Sequence, residues 1–216
     1  MTVSRPPLQL YGTLLSGHVH RVQLLLAMLE LPYEFVAIDM KAGQNRTPEF
    51  LALNPLGEVP VLRDGEVVLC DSTAMLVYLA LKYDASGKWL PREPLAAATV
   101  QRWLSNASGK IAYGPARARV VKVFGAPYDY EHACAIAQRY LDALDLELAD
   151  KQFALGAQPT IADLAAFSYI AHAPEGSISL RPYRHIRAWL DRVRALPGFV
   201  PMPATEAGLA PETYDD

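Results

Sequence analysis

Residues 54–83, NPLGEVPVLRDGEVVLCDSTAMLVYLALKY, contain the pattern that decides the fold of this 216-residue chain. Two short aliphatic runs, residues 59–62 and 67–69, flank Asp64-Gly65, a dipeptide that favours a tight hairpin turn. Asp71-Ser72 comes next, followed by an apolar run that contains neither glycine nor proline. The stretch therefore predicts two paired strands and then a helix with polar residues at its start.

The same stretch predicts a site for a short peptide that bears a free carboxylate. A proline cannot donate a hydrogen bond to a strand ladder, so Pro60 belongs at a sheet edge or beside a cleft. A helix that begins at Ser72 offers free N–H groups, a hydroxyl and the positive end of its dipole. An open strand edge beside such a helix start can hold both the backbone and the carboxylate of a peptide.

This arrangement resembles that of the glutathione transferases. Val59-Pro60 matches the valine and cis-proline of that family, whose backbone pairs with the cysteinyl unit of glutathione. Asp71-Ser72 matches the acidic residue and serine that receive the γ-glutamyl end. Three further stretches match the family in the same order, namely residues 8–39, 155–170 and 184–199. The resemblance implies glutathione as co-substrate and a cis bond between Val59 and Pro60.

The resemblance also implies two domains of different fold class. A thioredoxin-like α/β domain would occupy residues 1–84, and an all-helical domain that completes the electrophile pocket would occupy residues 92–216. Local patterns agree, because strand signals end at a linker rich in proline, glycine and charge over residues 84–94. The linker thus separates an α/β unit from a helical one.

Periodicity places the remaining elements. In the first domain we expect strands over residues 8–11 and 33–38 and helices over residues 18–29 and 49–53. In the second we expect helices over residues 95–108, 116–124 and 129–151, with a break at Gly109 and Gly114-Pro115. Thr160 and Asp163 form a capping box for a helix that is apolar on nearly all sides, which predicts the buried centre of that domain.

Composition excludes several classes of partner. Charged residues make up 20% of the chain and the net charge of −3 is spread evenly, so no basic surface for nucleic acid or an anionic membrane is expected. No run reaches the roughly 20 apolar residues of a membrane span, and no signal peptide is predicted. Cys70 and Cys134 lack metal-ligand spacing, so we expect no metal, two buried thiols and a cytoplasmic location.

Ser16 is the predicted catalytic residue. The loop after the first strand has no redox cysteine, and Ser16 matches the catalytic serine of the serine-type transferase classes. The resemblance implies that its hydroxyl donates to the sulfur of glutathione, which favours the thiolate that attacks. Two alternatives stay open: Ser16 is a plain N-cap, or Tyr11 takes the role, as a tyrosine does in some classes. We assign Tyr11 to packing.

Other residues are assigned to the outer parts of the glutathione site. Lys41 and Gln44 lie in a polar loop that meets the glycyl carboxylate in related classes, and Glu58 is a third candidate for this end of the peptide. Asp71 is shorter than the glutamate common in the family by about one C–C bond, roughly 1.5 Å. Its direct contact with the γ-glutamyl end is therefore open, whereas the socket at Ser72 is not affected.

The electrophile pocket is predicted to lie between the two domains. Leu14 and Leu15 would form its floor, and Tyr113 and Arg117 its wall, a combination that suits an aromatic or anionic compound. His18 is expected to lend positive charge near the thiol.

The predicted function is conjugation of glutathione thiolate to electrophilic hydrophobic small molecules by a homodimer. The dimer is expected from the family and from Met75, Val77 and Tyr78, which exceed what one helix face can bury. Two alternatives share the fold: a glutathione-dependent disulfide or peroxide reductase, and a non-enzymatic binding module.

Overall fold

The computed structural model describes residues 8–209, and the sheet within them has the strand order β2-β1-β3-β4. The strands are β1 (Leu8–Gly12), β2 (Tyr33–Ala37), β3 (Val61–Asp64) and β4 (Val67–Cys70). β2 runs parallel to β1, while β3 is antiparallel to both β1 and β4. Asp64 pairs with Val67 across the tight turn, which confirms the predicted hairpin.

Three helices accompany the sheet: α1 (Gly17–Met28), α2 (Pro48–Leu53) and α3 (Ser72–Tyr83). Side chains alternate along β1, and the face that carries Gly12 meets α1 so closely that an added Cβ would lie 2.5 Å from Val19 Cγ2. Glycine is therefore required at this position. The sheet and its helices form the predicted thioredoxin-like domain.

The second half of the chain is helical, and its first helix is continuous. α4 (Pro94–Asn106) passes into π-helical turns over Ala107–Ala116 and then into α5 (Arg117–Phe124). The predicted break at Gly109 and Gly114-Pro115 is thus wrong. Pro115 has no N–H to donate, yet the helix passes this position in wider π-helical turns and does not end there.

Three further α-helices follow within the described residues: α6 (Tyr130–Glu147), α7 (Ile161–Ala171) and α8 (Arg184–Arg194). The helix predicted over residues 129–151 therefore ends earlier, at Glu147. Every residue of α7 is buried, as its apolar pattern predicts, and the capping box of Thr160 and Asp163 is formed in both directions. α7 packs against α1, so the core runs through both halves of the chain.

Two expectations about burial are wrong. Cys70 and Cys134 are free thiols but only partly buried, because β4 is an edge strand and α6 leaves part of its surface open. Met75 is fully buried within the protomer, so it gives no support to a dimer. Val77 and Tyr78 are partly buried, and the Tyr78 hydroxyl donates to Asp64 at 2.9 Å.

Candidate active site

The loop before β3 presents unpaired backbone. The Val59–Pro60 bond is cis, as predicted, and among the described residues neither the amide nor the carbonyl of Val59 has a hydrogen-bond partner. Two buried asparagines hold the loop: Asn45 Nδ2 donates to the Gly57 carbonyl at 2.7 Å, and Asn54 Nδ2 donates to the Glu58 carbonyl at 2.8 Å. This geometry suits an extended peptide that pairs with Val59.

The start of α3 lies just after β4 in the chain. Asp71 is its N-cap, and Oδ1 accepts from the amides of Thr73 at 2.8 Å and Ala74 at 2.9 Å. Burial raises the pKa of Asp71, but hydrogen bonds from the Thr73 hydroxyl and from the two amides outweigh it and lower the pKa overall, so the carboxylate is charged at neutral pH. Asp71 has a φ of 72°, a left-handed conformation that costs a non-glycine residue about 1 kcal/mol or more. Ser72 is the first helical residue, where an amide has no intrahelical partner.

Ser16 is the N-cap of α1. Its Oγ accepts a long hydrogen bond of 3.4 Å from the Val19 amide, which leaves the hydroxyl proton uncommitted by that bond. Capping and donation to a ligand are therefore compatible at one side chain. The next residue, Gly17, lies so close to Tyr169 of α7 that an added Cβ would be 2.9 Å from the ring, so the start of α1 is held at the contact between the two halves.

Tyr11 lies on the other face of the sheet. Gly12 faces α1, so its neighbour Tyr11 faces the opposite side, where it lines a cavity with Phe50 of α2. The Tyr11 hydroxyl donates to Gln9 Oε1 at 3.2 Å. The start of α1, which carries Ser16, therefore lies on the face of the sheet opposite to the one from which the Tyr11 side chain projects.

His18 links the starts of α1 and α3. Its Nδ1 lies 3.4 Å from Ser72 Oγ, and its ring contacts Tyr169 edge-on with centroids 4.9 Å apart. Burial, with the charge of Arg21 adding to it, lowers the pKa of His18 to about 3. The expected supporting charge at His18 is thus wrong, because the imidazole is neutral at neutral pH.

The three residues assigned to the outer end of glutathione are all exposed. Gln44 orders its loop, since Oε1 accepts from the Asp39 amide at 2.7 Å and leaves the NH₂ group to donate. Lys41 lies in the same loop, and Glu58 lies beside Val59. Their contacts with glutathione stay a prediction.

The residues assigned to the electrophile pocket are not all found along the cavity that holds Tyr113 and Arg117. Tyr113 and Arg117 line a cavity of about 770 Å³ between the π-helical segment and α6, and the described residues that line it include neither Leu14 nor Leu15. The Arg117 guanidinium lies 4.1 Å from the Tyr113 ring centroid, so cation and ring cover each other. Leu14 is half exposed.

Two buried arginines border the site, and sequence reasoning missed both. Arg21 Nη1 donates to Ser72 Oγ at 3.3 Å, and Arg119 Nη1 donates to the Leu15 carbonyl at 2.9 Å. The available signal at Arg21 is a charged residue within a helix whose pattern is otherwise largely apolar. For Arg119 the sequence holds no local signal, because its carboxylate partner Glu175 lies far away in the chain.

Residues 8–209 contain no group of three or more histidine, cysteine, aspartate or glutamate side chains that could hold a metal ion. None of the helices in that range is long and apolar enough to cross a membrane.

Family models match both halves of the chain. The model described as "Glutathione S-transferase, N-terminal domain" matches residues 6–81, and "Glutathione S-transferase, C-terminal domain" matches residues 122–197. The chain is 33% identical to glutathione S-transferase 3 of Zea mays, with 91% of this chain and 96% of that protein covered. It is 32% identical to glutathione S-transferase theta-1 of Bos taurus, with 89% and 85% covered.

Solved structures show the same similarity. A glutathione S-transferase from Pseudomonas fluorescens superimposes with a TM-score of 0.85 at 31% identity, covering 90% of this chain and 98% of that one. A glutathione transferase homolog from Drosophila mojavensis, solved with bound glutathione, gives a TM-score of 0.81 at 27% identity, covering 88% and 89%.

Proposed function

This chain belongs to the glutathione S-transferase family, and from that premise we propose that Ser16 activates the thiol of bound glutathione for attack on an electrophilic hydrophobic molecule. The protein is a glutathione transferase. The observation that carries the assignment of Ser16 is its place as N-cap of α1, with a hydroxyl proton that the capping bond does not use.

Glutathione lies along the loop and the two helix starts. Its cysteinyl backbone pairs with the free amide and carbonyl of Val59, next to Pro60. Its γ-glutamyl carboxylate accepts from Ser72 at the start of α3, and Asp71 faces the γ-glutamyl ammonium group. Its glycyl carboxylate meets Lys41 and Gln44, and Glu58, next to Val59 in the chain, is the third residue assigned to this end of the peptide.

The chemistry is nucleophilic attack by sulfur. Ser16 O–H donates to the sulfur, and the positive end of the α1 dipole adds to the stabilisation of negative charge there. Both favour the thiolate, whose proton leaves to solvent. The thiolate sulfur then forms a bond to the electrophilic carbon, and the leaving group departs or the electron pair moves onto the acceptor.

Replacement of Ser16 by alanine tests this proposal. Ser16→Ala should raise the pKa of bound glutathione thiol and slow conjugation at neutral pH by about 10- to 100-fold, the range that a hydrogen bond to a charged group supplies. Affinity for glutathione should change little, because Val59 and Ser72 hold the peptide elsewhere. Thiolate absorbance and steady-state rates measure the two effects, and Tyr11→Phe is the matched hydroxyl control.

Other results would assign the function differently. A collapse of the rate in Tyr11→Phe, with Ser16→Ala unchanged, would transfer the role to Tyr11. Faster turnover of disulfides or peroxides than of electrophiles would favour the reductase. Glutathione binding without any turnover would favour a binding module.

The electrophile pocket lies where the Ser16 loop meets the helical half. Leu14 and Leu15 supply apolar surface, and His18 contributes a neutral ring rather than a charge. Tyr113 and Arg117 extend the pocket toward the cavity beside α6 and favour aromatic or anionic electrophiles.

A homodimer is the second part of the proposal. Large apolar side chains are exposed on the first domain, where Val67 and Val68 stand on the edge strand β4 and Leu81 on α3. Because an uncovered strand edge with apolar side chains favours association, a two-fold contact between the first domain and the helical half of a partner would cover it. Two free thiols also fit a reducing, cytoplasmic location.

Sedimentation at micromolar concentration tests the dimer. We expect twice the protomer mass of 23.7 kDa for the wild type and the protomer mass for Val68→Glu. Leu146→Glu, on an exposed position of α6, is a control for added charge. A wild-type species of 23.7 kDa would contradict the dimer.

A further inference from the structure

Arg21 is a fully buried cation beneath the socket at Ser72. No part of its side chain reaches solvent, and within residues 8–209 its one side-chain hydrogen bond runs from Nη1 to Ser72 Oγ at 3.3 Å. The remaining nitrogens, Nε and Nη2, are buried and have no hydrogen-bond partner in this described part of the chain. An arginine on a helix that is buried almost throughout is thus anchored to a single hydroxyl.

The positive charge of Arg21 is not balanced by a bonded carboxylate among residues 8–209. Tyr169 and the carboxylate of Asp71 act on it electrostatically, but Oδ1 of Asp71 caps α3 through the amides of Thr73 and Ala74. His18, the other titratable group beside Ser72, is neutral. Burial lowers the pKa of Arg21 only to about 10, so the guanidinium stays charged at neutral pH.

A buried charge without a counter-ion is unfavourable, and an anion bound nearby offsets that cost. The N–H of Arg21 donates to the Ser72 oxygen, so the single hydroxyl proton of Ser72 is left to donate outward. That proton is held either by His18 Nδ1 or by an acceptor in the socket. A carboxylate in the socket is the better acceptor, because the guanidinium polarises the hydroxyl toward it.

We propose that Arg21 is a positioning residue for the α-carboxylate of the γ-glutamyl unit, acting through Ser72 and without contact to glutathione. This inference rests on the glutathione site proposed above and adds the charge that makes its socket selective for a carboxylate. Its effect is on binding of one ligand group. Ser16, and not Arg21, interacts with the glutathione sulfur, so Arg21 should not change the ionisation of the thiol.

The role of Arg21 is tested by measuring how three variants bind two ligands. The ligands are glutathione and 4-aminobutanoyl-cysteinyl-glycine, which lacks only the α-carboxylate of the γ-glutamyl unit. Arg21→Gln should weaken glutathione binding about 10- to 100-fold in calorimetry and leave binding of the analogue nearly unchanged. Arg21→Lys, which keeps the charge, should restore part of the loss. KM for glutathione should rise while kcat and the pKa of the bound thiol stay as in the wild type.

Val22→Ala is the control, because it removes buried volume from the same helix without a change of charge. If Arg21→Gln lost affinity for glutathione and for the analogue equally, or if only kcat fell, the role of Arg21 would be purely structural and the proposal would be overturned. If Arg21→Gln does not fold, the affinities of Arg21→Lys for the two ligands are compared instead. A loss of affinity for glutathione but not for the analogue would again support the proposal, and an equal loss for both would overturn it. A wild-type protein that binds neither ligand would overturn the glutathione site itself, and with it the role of Arg21.

Discussion

The carboxylate of Asp64 links α3 to the hairpin by hydrogen bonds. It accepts hydrogen bonds from Tyr78 at 2.9 Å, Lys82 at 2.7 Å and Tyr83 at 2.6 Å. Burial raises the pKa of Asp64, but the bonds from Lys82 and the two tyrosines outweigh it and bring the pKa to about 2. A residue at the turn of the hairpin therefore also anchors the helix whose start forms the carboxylate socket.

Asp64→Asn should lower the free energy of unfolding at neutral pH by about 2–4 kcal/mol, since it replaces the charged, buried acceptor of three hydrogen bonds, one of them from Lys82, with a neutral amide. Because the folded pKa lies below the ordinary value near 3.9, the carboxylate stabilises the protein above about pH 4. That stabilisation, about 2 kcal/mol, is lost as the pH falls from about 4 to about 2. Urea unfolding at several pH values should show a flatter acid limb in Asp64→Asn than in Glu66→Gln, an exposed control. Parallel acid limbs would contradict the assignment.

Among the elements, the continuous helix from α4 to α5 departs most from the sequence-based expectation. Glycine and proline at positions 109, 114 and 115 predict an interruption, whereas the structure holds π-helical turns over Ala107–Ala116. Gly114 is required by packing, because an added Cβ would lie 2.9 Å from the Ala137 amide nitrogen of α6. Gly109 has no atom within 4 Å of such a Cβ.

The two glycines should respond to alanine with opposite signs. Gly114→Ala should destabilise the fold by about 1–3 kcal/mol, because the contacted atoms belong to backbone that cannot move aside easily. Gly109→Ala should stabilise it by about 0.5–1 kcal/mol, because alanine has the higher helix propensity and meets no obstacle. Chemical denaturation of both variants measures the difference. A loss of stability in Gly109→Ala equal to that in Gly114→Ala would mean that the helix, and not the contact with α6, sets the cost.

Local patterns predicted most elements and failed where distant residues decide. The hairpin, the capping box at Thr160 and the cis bond before Pro60 follow from neighbours in sequence or from a motif that matches the family. The partial burial of Cys70, the neutral His18 and the buried Arg119 depend on contacts that bridge many residues. Periodicity gives the face of a helix but not which distant charge it will meet, so the electrostatics of the site required the structure.

At the scale of the whole molecule, one buried carboxylate joins four parts of the chain. Glu175, which follows α7, forms a fully buried ion pair with Arg119 of α5 and accepts from His172 Nδ1 at 3.1 Å. Its Oε1 also accepts from the Thr205 hydroxyl at 2.7 Å. Arg119 in turn donates to the Leu15 carbonyl at 2.9 Å. The segment near the end of the described chain is thus connected to the loop that carries Ser16.

This network should behave as one unit in unfolding. Glu175→Gln should cost about 3–5 kcal/mol, because it leaves the buried Arg119 guanidinium without its counter-ion, and Thr205→Val should cost about 1.5–3 kcal/mol. The double variant should cost less than the sum by about 1 kcal/mol or more, because Thr205→Val removes the hydrogen bond from the Thr205 hydroxyl and Glu175→Gln weakens the same bond by making its acceptor neutral. Asp191→Asn, in an exposed ion pair with Arg194, is the control and should cost at most about 1 kcal/mol. Denaturant unfolding measures these costs. If the costs of Glu175→Gln and Thr205→Val simply added in the double variant, Thr205 and Glu175 would contribute independently to stability. The connection from the segment around Thr205 to the Ser16 loop would then have no energetic basis.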